Sequence, residues 1–309
     1  MICTRPNYAL DLGKKENGKR FIKFLPKRVD LYSAKTLQAR YGADAVLPLP
    51  CGTCLACRIN HAKEWAVRCV LESLYHEENY FITLTYDDDH VPSDGFIHRE
   101  HMREFQKRVW RKFPGVRFFG CGEYGSKNLR PHFHLIAFGL NLTDFKSVGN
   151  GLMESKTIKE LWPYGFNYIG EVNYMTCNYV AQYCNKKAFG DLKYNVPPMN
   201  REYVFMSTKP GIGYQWCQDH LSSVLEYDAV FGPFGSSKSA ALPRYFQKIA
   251  EDLDGDKFKE LKKIRLDKGN ALTINECLVH SVENVEEVYA LKDEALLGDY
   301  ITKRKGVRL

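Results

Sequence analysis

Hydrophobic and polar positions alternate with two different periods along the chain. INHAKEWAVRCVLESLYHEE (59–78) carries Trp65, Val67, Val70, Leu71 and Leu74 at helical spacing. NYFITLTYDDD (79–89) is β-branched and aromatic and predicts a strand stopped by an acidic turn. HREHMREFQKRVWRKFP (98–114) predicts a basic amphipathic helix ended by Pro114. VRFFGCGEYG (116–125) and HFHLIAFG (132–139) predict a second and a third strand. After a polar loop, ELWPYGFNYIGEV (160–172) predicts a short element and a fourth strand. MTCNYVAQYCNKKAFG (175–190) has helix character, and REYVFMSTKPGIGYQW (201–216) suits an edge strand and a turn. Beyond about residue 240 the pattern is charged and helical.

The order strand, helix, strand, strand, strand, helix, with short loops between strands, predicts antiparallel pairing. The fold class is therefore α+β: an antiparallel β-sheet with flanking helices packed on one face, plus a Cys-rich amino-terminal element. Three regions are expected: a basic, cysteine-rich element over 1–70, a central domain over 71–240, and a charged helical region over 241–309. No internal repeat or low-complexity tract interrupts them.

Charge adds a direction to this picture. The net charge of +7 is unevenly spread. Residues 1–70 carry 13 Lys/Arg against 5 Asp/Glu, and residues 101–130 carry 8 against 2, whereas the tail 251–309 carries 11 against 13. Such asymmetry suits a phosphate-bearing partner. No apolar run approaches the ~18 residues of a membrane span, so no membrane partner is expected. MICTRPNYAL lacks the apolar core of a secretion signal, and the ten cysteines are expected as reduced thiols of a cytosol.

The candidate chemistry begins at RPHFHLIAFG (130–139). Alternate side chains of a strand leave one face, so His132 and His134 point the same way. If the preceding strand pairs beside it, Glu123 at its end comes close to both. Two imidazoles and a carboxylate with open positions suit catalytic Mg²⁺ or Mn²⁺, and Zn²⁺ also accepts the set. Tyr179 and Tyr183 are four apart, so on a helix both phenols project from one face about 6 Å apart, with Lys186 and Lys187 one turn on. The spacing equally describes packed aromatics. Taken with the histidines, it suits attack of a tyrosine on phosphorus.

CGTCLAC supplies Cys51, Cys54 and Cys57, with Cys3 as a candidate fourth ligand. Four thiolates make a structural Zn²⁺ site, closely spaced cysteines also hold iron–sulfur clusters, and unligated thiols remain an alternative. Cys69, Cys121, Cys177, Cys184 and Cys217 read as small core residues. Arg58 beside the cysteines, and Arg103, Lys107, Arg108 and Arg111 on the basic helix, are candidate phosphate contacts, though a helix face of this kind is equally a solvated one. Tyr86 and Tyr124 are candidates for stacking on unpaired bases.

These motifs carry a resemblance. RPHFHLIAFG resembles the histidine–hydrophobe–histidine motif of the HUH endonucleases, the rolling-circle replication initiators. FITLTY resembles their first motif and YVAQYCNKK the two-tyrosine third motif of the single-stranded DNA phage initiators. PCGTCLACRINHAKEWAVRC, GEYGSKNLRPHFH, STKPGIGY and LPRYFQK are similar to the microvirus initiators, in their gokushovirus-like branch. The resemblance covers roughly residues 45–250. It implies nicking and joining at the origin of the replicative form through a 5′-phosphotyrosine, with Tyr179 and Tyr183 as nucleophiles, His132 and His134 as metal ligands, and Lys186 as the third-motif lysine. Viral replicative-form and single-stranded DNA, a host helicase and replication machinery, and a host bacterial cytoplasm follow from it. No Walker phosphate loop is present to supply a helicase in the chain itself. The rival readings are a zinc-containing DNA- or RNA-binding protein without catalysis, and a single-strand transposase or relaxase.

Overall fold

A computed structural model describes residues 3–15, 20–25, 34–42, 45–125, 128–149, 151–183, 197–279, 281 and 285–306. Its described residues fall into two compact units, one within 61–262 and the other within 1–60 and 263–309. The second unit thus takes both ends of the chain. It holds a three-stranded antiparallel sheet of β1 (Asn7–Lys14), β2 (Arg20–Phe24) and β3 (Val46–Leu49), in the order β2-β1-β3. Helix α1 (Ala34–Tyr41) packs on it through Leu37, which joins Tyr8, Leu10 and Val46 in a small apolar core. Helix α2 (Leu55–Ser73) begins in this unit and runs into the other.

The larger unit is built on a seven-stranded antiparallel sheet. Its strands are β4 (Asn79–Tyr86), β5 (Arg117–Tyr124), β6 (Pro131–Phe138), β7 (Phe145–Gly149), β8 (Leu152–Ser155), β9 (Gly165–Glu171) and β10 (Tyr203–Met206). They lie in the order β10-β5-β6-β4-β9-β8-β7. The strands expected from the sequence are present, and the edge position of β10 agrees with the reading of REYVFM. The hairpin β7–β8 occupies what reads as a polar loop. Its residues 145–149 are all exposed, so no buried face left a periodic signal. A further hairpin, β11 (Ala229–Phe234) with β12 (Ser237–Ala241), and the β1–β3 sheet likewise went unread.

Helices cover both faces of the sheet, not one. On the first face α2 and helix α5 (Tyr174–Tyr183) pack on Phe119, Cys121, Ile136 and Phe138. On the second, helix α3 (Arg99–Lys112) and helix α4 (Lys156–Leu161) pack on Ile82, Leu84, Phe133, Leu135 and Ala137. The reason lies in β6, whose last four residues are apolar at every position, so both of its faces need cover. Helix α3 buries Met102, Phe105 and Val109, spaced one and two turns apart, and leaves Arg103, Lys107, Arg111 and Lys112 exposed.

Gly120 on β5 permits the close passage of the edge strand. A Cβ there would lie 2.5 Å from Cζ of Phe205 and 2.7 Å from the His134 carbonyl oxygen. Tyr86, offered by the sequence as a stacking residue, is fully buried on the second face, its hydroxyl 2.9 Å from Nδ1 of His101. Tyr124 is also structural: its hydroxyl accepts from the Ile97 amide and donates to the Asn200 carbonyl. Both lie at strand positions whose alternation turns them away from the histidines.

One buried carboxylate joins three segments behind this sheet. Glu72 of α2 pairs with Arg117 at the start of β5, lies 3.3 Å from His76, and accepts from the Gly213 amide at 2.6 Å. Burial raises its carboxyl, but these partners outweigh burial and hold it below the ordinary value of 4.5. The stabilisation is therefore whole above pH 4.5 and is lost as the pH falls through the depressed folded value. Glu72→Ala, which strands Arg117, is expected to cost about 3–5 kcal/mol in urea unfolding at neutral pH. The gap to wild type is expected to narrow in acid.

Candidate active site

The pairing of β5, β6 and β4 assembles the site. Glu123 is paired in register with His132, and Cys121 with His134. On the other side of β6, Thr83 is paired with His134 and Thr85 with His132. Partners in antiparallel register share a face, so Glu123, His132, His134 and Thr83 all project from the first face. The strand order supposed for Glu123 is the observed one.

The three candidate ligands converge. Oε1 of Glu123 lies 2.9 Å from Nε2 of His132 and 3.1 Å from Nε2 of His134. The two imidazoles meet edge to face, centroids 4.9 Å apart. Ligand bonds of about 2.1 Å at right angles put adjacent donors about 3.0 Å apart, so the two carboxylate–imidazole separations match neighbouring positions around one hexacoordinate cation. Glu123 and His134 are buried and His132 half-buried. Burial raises the Glu123 carboxyl, but hydrogen bonds from both histidines prevail and keep it below its ordinary value. A carboxylate is thus ready to ligate without first losing a proton.

A second layer orients the rings. Nδ1 of His132 lies 3.0 Å from the Arg130 carbonyl oxygen, which also accepts from the Gly125 amide. Nδ1 of His134 lies 2.9 Å from Oγ1 of Thr83. An imidazole that ligates through Nε2 keeps its proton on Nδ1, and these two acceptors receive it. Thr83 and the Arg130 carbonyl were missed from the sequence. The signal for Thr83 was its alternation in FITLTY, legible only once β4 is known to flank β6.

Helix α5 brings the first tyrosine. Asn173 caps it: its Oδ1 accepts from the Met175 and Thr176 amides at 2.9 and 3.1 Å, and Oγ1 of Thr176 accepts in return from the Asn173 amide. Cys177, Val180 and Ala181 are buried against the sheet. That seating turns Tyr179 toward the histidines. Its ring meets His134 edge-on at 5.2 Å and Phe81 at 6.0 Å, while remaining 41% exposed. Tyr183 is the last residue of α5. Its side chain, with Cys184, Lys186 and Lys187, lies outside the described residues.

The first face continues past the histidines onto β9. Thr85 is paired with Phe166 and Thr83 with Tyr168, so these aromatics stand on the same face two strands from His132 and His134. At about 4.8 Å per strand this is about 10 Å. Phe166 is 45% exposed, and Nζ of Lys159 lies 5.5 Å above its ring. A cleft of about 440 Å³ beside Phe166 is lined by Lys146, Lys156 and Lys159 together with Asp144 and Glu154.

The other candidate phosphate contacts are placed elsewhere. Arg103, Lys107, Arg108 and Arg111 are on α3, on the opposite face of the sheet from the histidines. Arg108 is committed to the Leu161 carbonyl and to Glu104, each at 3.0 Å. Arg58 is on the first turn of α2, in the other unit. Cys3, Cys51, Cys54 and Cys57 come together there, their sulfurs within 4.8 Å of one another. Among the described residues, no helix is long and apolar enough to cross a membrane.

Comparison with known proteins covers the same ground. A family model for replication-associated proteins of the ORF2 type matches residues 79–188, from β4 to just past α5. The chain is 31% identical over 276 residues to the replication-associated protein ORF2 of Spiroplasma virus 4, covering 84% of this chain and 83% of that protein. It is 33% identical over 235 residues to the replication-associated protein VP4 of Bdellovibrio phage phiMH2K, with 70% and 71% covered. With the replication-associated protein ORF4 of Chlamydia phage 1 it shares 29% identity over 294 residues, 84% and 72% covered. No solved structure matches the chain.

The second layer is directly testable. Thr83→Val keeps the shape and removes the acceptor at His134. Calorimetric titration with Mn²⁺ is expected to show affinity weakened by about 10–100-fold, with the thermal midpoint of the apoprotein little changed.

Proposed function

The chain belongs to the replication-associated proteins of microvirus-like phages, and we propose that it acts in phage DNA replication as a metal-dependent nicking and joining enzyme that initiates rolling-circle synthesis. The observation that carries this reading is the meeting of Glu123, His132 and His134 on one face, with the ring of Tyr179 edge-on to His134. Those three residues would hold Mg²⁺ or Mn²⁺, which would supply a Lewis acid for the scissile phosphate. The phenolate oxygen of Tyr179 or Tyr183 attacks phosphorus, and the bond to the 3′ oxygen breaks. The phenol proton passes to a base, and the leaving oxygen takes up a proton as the 3′-hydroxyl primer. The 5′-phosphotyrosine keeps the bond energy for rejoining. Lys186 is assigned to charge stabilisation and Lys187 to DNA backbone contact.

The substrate is viral replicative-form DNA, opened to single strands, in the host bacterial cytoplasm, with a host helicase and replication machinery as partners. Single-stranded DNA is accommodated on the open part of the first face. Exposed Phe166 offers a stacking surface, and Lys146, Lys156 and Lys159 offer phosphate contacts.

A covalent-adduct assay tests the reaction. With labelled single-stranded fragments tiling the phage genome and Mn²⁺, a band of protein-plus-DNA mass is expected on a denaturing gel. It is expected to vanish in the Tyr179→Phe/Tyr183→Phe double variant and in His132→Ala. Native-gel binding without an adduct on any fragment would instead favour a binding protein without catalysis. The stacking surface has its own readout: Phe166→Ala is expected to weaken single-strand binding about tenfold, since a stacked base is worth about 1–3 kcal/mol, while leaving Mn²⁺ affinity unchanged.

A further inference from the structure

The nicking reaction makes no use of the cysteines of the other unit. Cys3 precedes β1, Cys51 and Cys54 follow β3, and Cys57 lies in the first turn of α2. Their sulfurs all lie within 4.8 Å of one another, and Sγ of Cys3 is 3.8 Å from Sγ of Cys54. No disulfide joins any of the described cysteines. Four metal–sulfur bonds of about 2.3 Å in a tetrahedron put the sulfurs about 3.8 Å apart. An iron–sulfur cluster needs its cysteines spread around several irons and bridging sulfides. The separation therefore suits one ion rather than a cluster, an alternative the sequence left open.

The backbone is shaped for thiolates. The Cys51 amide donates to Sγ of Cys3 at 3.3 Å, and the Cys54 and Thr53 amides donate to Sγ of Cys51 at 3.2 and 3.4 Å. The Cys57 amide donates to Sγ of Cys54 at 3.4 Å. Donors aimed at sulfur favour its charged form. Gly52, at φ +73°, makes the turn that aims two of these amides. Cys3, Cys54 and Cys57 are buried and Cys51 is half-buried, and four sulfurs leave no open position on a tetrahedral ion.

We infer that Cys3, Cys51, Cys54 and Cys57 hold one structural Zn²⁺ that keeps the unit formed by the two ends of the chain folded. The ion joins Cys3, at the amino-terminal end of the described chain, to the start of α2. Next to Cys3, Oγ1 of Thr4 donates to Asp293 at 2.5 Å, and Arg5 donates to Asp293 at 2.6 and 2.9 Å. Asp293 is on the helix Val285–Gly306, and Leu296, about one turn further, packs on the cysteine cluster. Three segments remote in sequence thus meet at the sulfurs. Among the described residues, the separate apolar core of this unit is small, built from Tyr8, Leu10, Leu37 and Val46. With so little apolar burial among its described residues, the unit draws its stability from the metal.

The test uses the full chain and does not depend on nicking. Elemental analysis of protein dialysed against a weak chelator is expected to find about one zinc per chain, with neither iron nor sulfide. The His132→Ala/His134→Ala variant is expected to retain that zinc, and Cys57→Ser to lose it. Should Cys57→Ser fail to fold, stepwise modification of wild-type thiols with a mercurial is expected to release the zinc in proportion to the thiols consumed. Co²⁺ exchanged into wild type is expected to give the intense charge-transfer and visible bands of tetrahedral thiolate cobalt. Stripping with a strong chelator is expected to open residues 3–60 and 285–306 to protease. Zinc that follows the histidines, iron with sulfide, or full protease resistance without metal would each overturn the inference. Failure of the DNA adduct assay would leave it intact.

Discussion

Everything at the candidate site depends on the register of β6 between β5 and β4. Because side chains alternate along a strand, a slip of one residue would turn His132 and His134 into the α3 face and bring Phe133 and Leu135 to the site. The apolar residues enforce the register. Phe133, Leu135 and Ala137 pack under α3 while Ile136 and Phe138 pack under α2 and α5. A strand buried on both faces has no neutral alternative register. The histidines are therefore held by the hydrophobic effect, not by their own hydrogen bonds, and the three candidate ligands can be polar in a largely buried place.

That placement carries a desolvation cost. Glu123 and His134 are almost wholly out of water, and each is compensated at short range. Glu123 has both imidazoles, His134 has Thr83, and His132 has the Arg130 carbonyl. A buried carboxylate beside two imidazoles is a strong site for a cation and a poor one for nothing. Helix α5 is held differently. It is short, capped by Asn173 and seated by three small or medium residues, and it presents Tyr179 to the open side of the same histidine. The rigid sheet holds Glu123, His132 and His134, while Tyr179 rides on a lighter element.

The two units rely on different physics. The larger one buries extended apolar clusters on both faces of its sheet and ties α2, β5 and the 211–213 turn together through Glu72. The other has only small apolar clusters among its described residues and brings four thiols together. Charge follows a different logic from burial. Arg103, Lys107, Arg111 and Lys112 of α3 are exposed on the far side of the sheet, whereas lysines of the β7–α4 region line the cleft beside Phe166.

What the sequence by itself determined are the short-range features. The spacing of His132 and His134 puts them on one face because alternation is a property of any strand. The four-residue step from Tyr179 to Tyr183 follows from the pitch of a helix. The Cys51-Cys54-Cys57 spacing already suits a turn around an ion. The order of motifs, with GEYG just before the histidine strand, was enough to bring Glu123 to them. The tertiary structure alone decided which strand flanks the other side of β6, and hence the role of Thr83 and the position of Phe166. It turned Tyr86 and Tyr124 away from the site and set the basic helix on the opposite face. It also brought Cys3 to cysteines some fifty residues away and joined both chain ends in one unit. Periodicity is written in the local backbone, whereas the choice of partner is settled by the burial of apolar surface across the whole chain, which no short window contains.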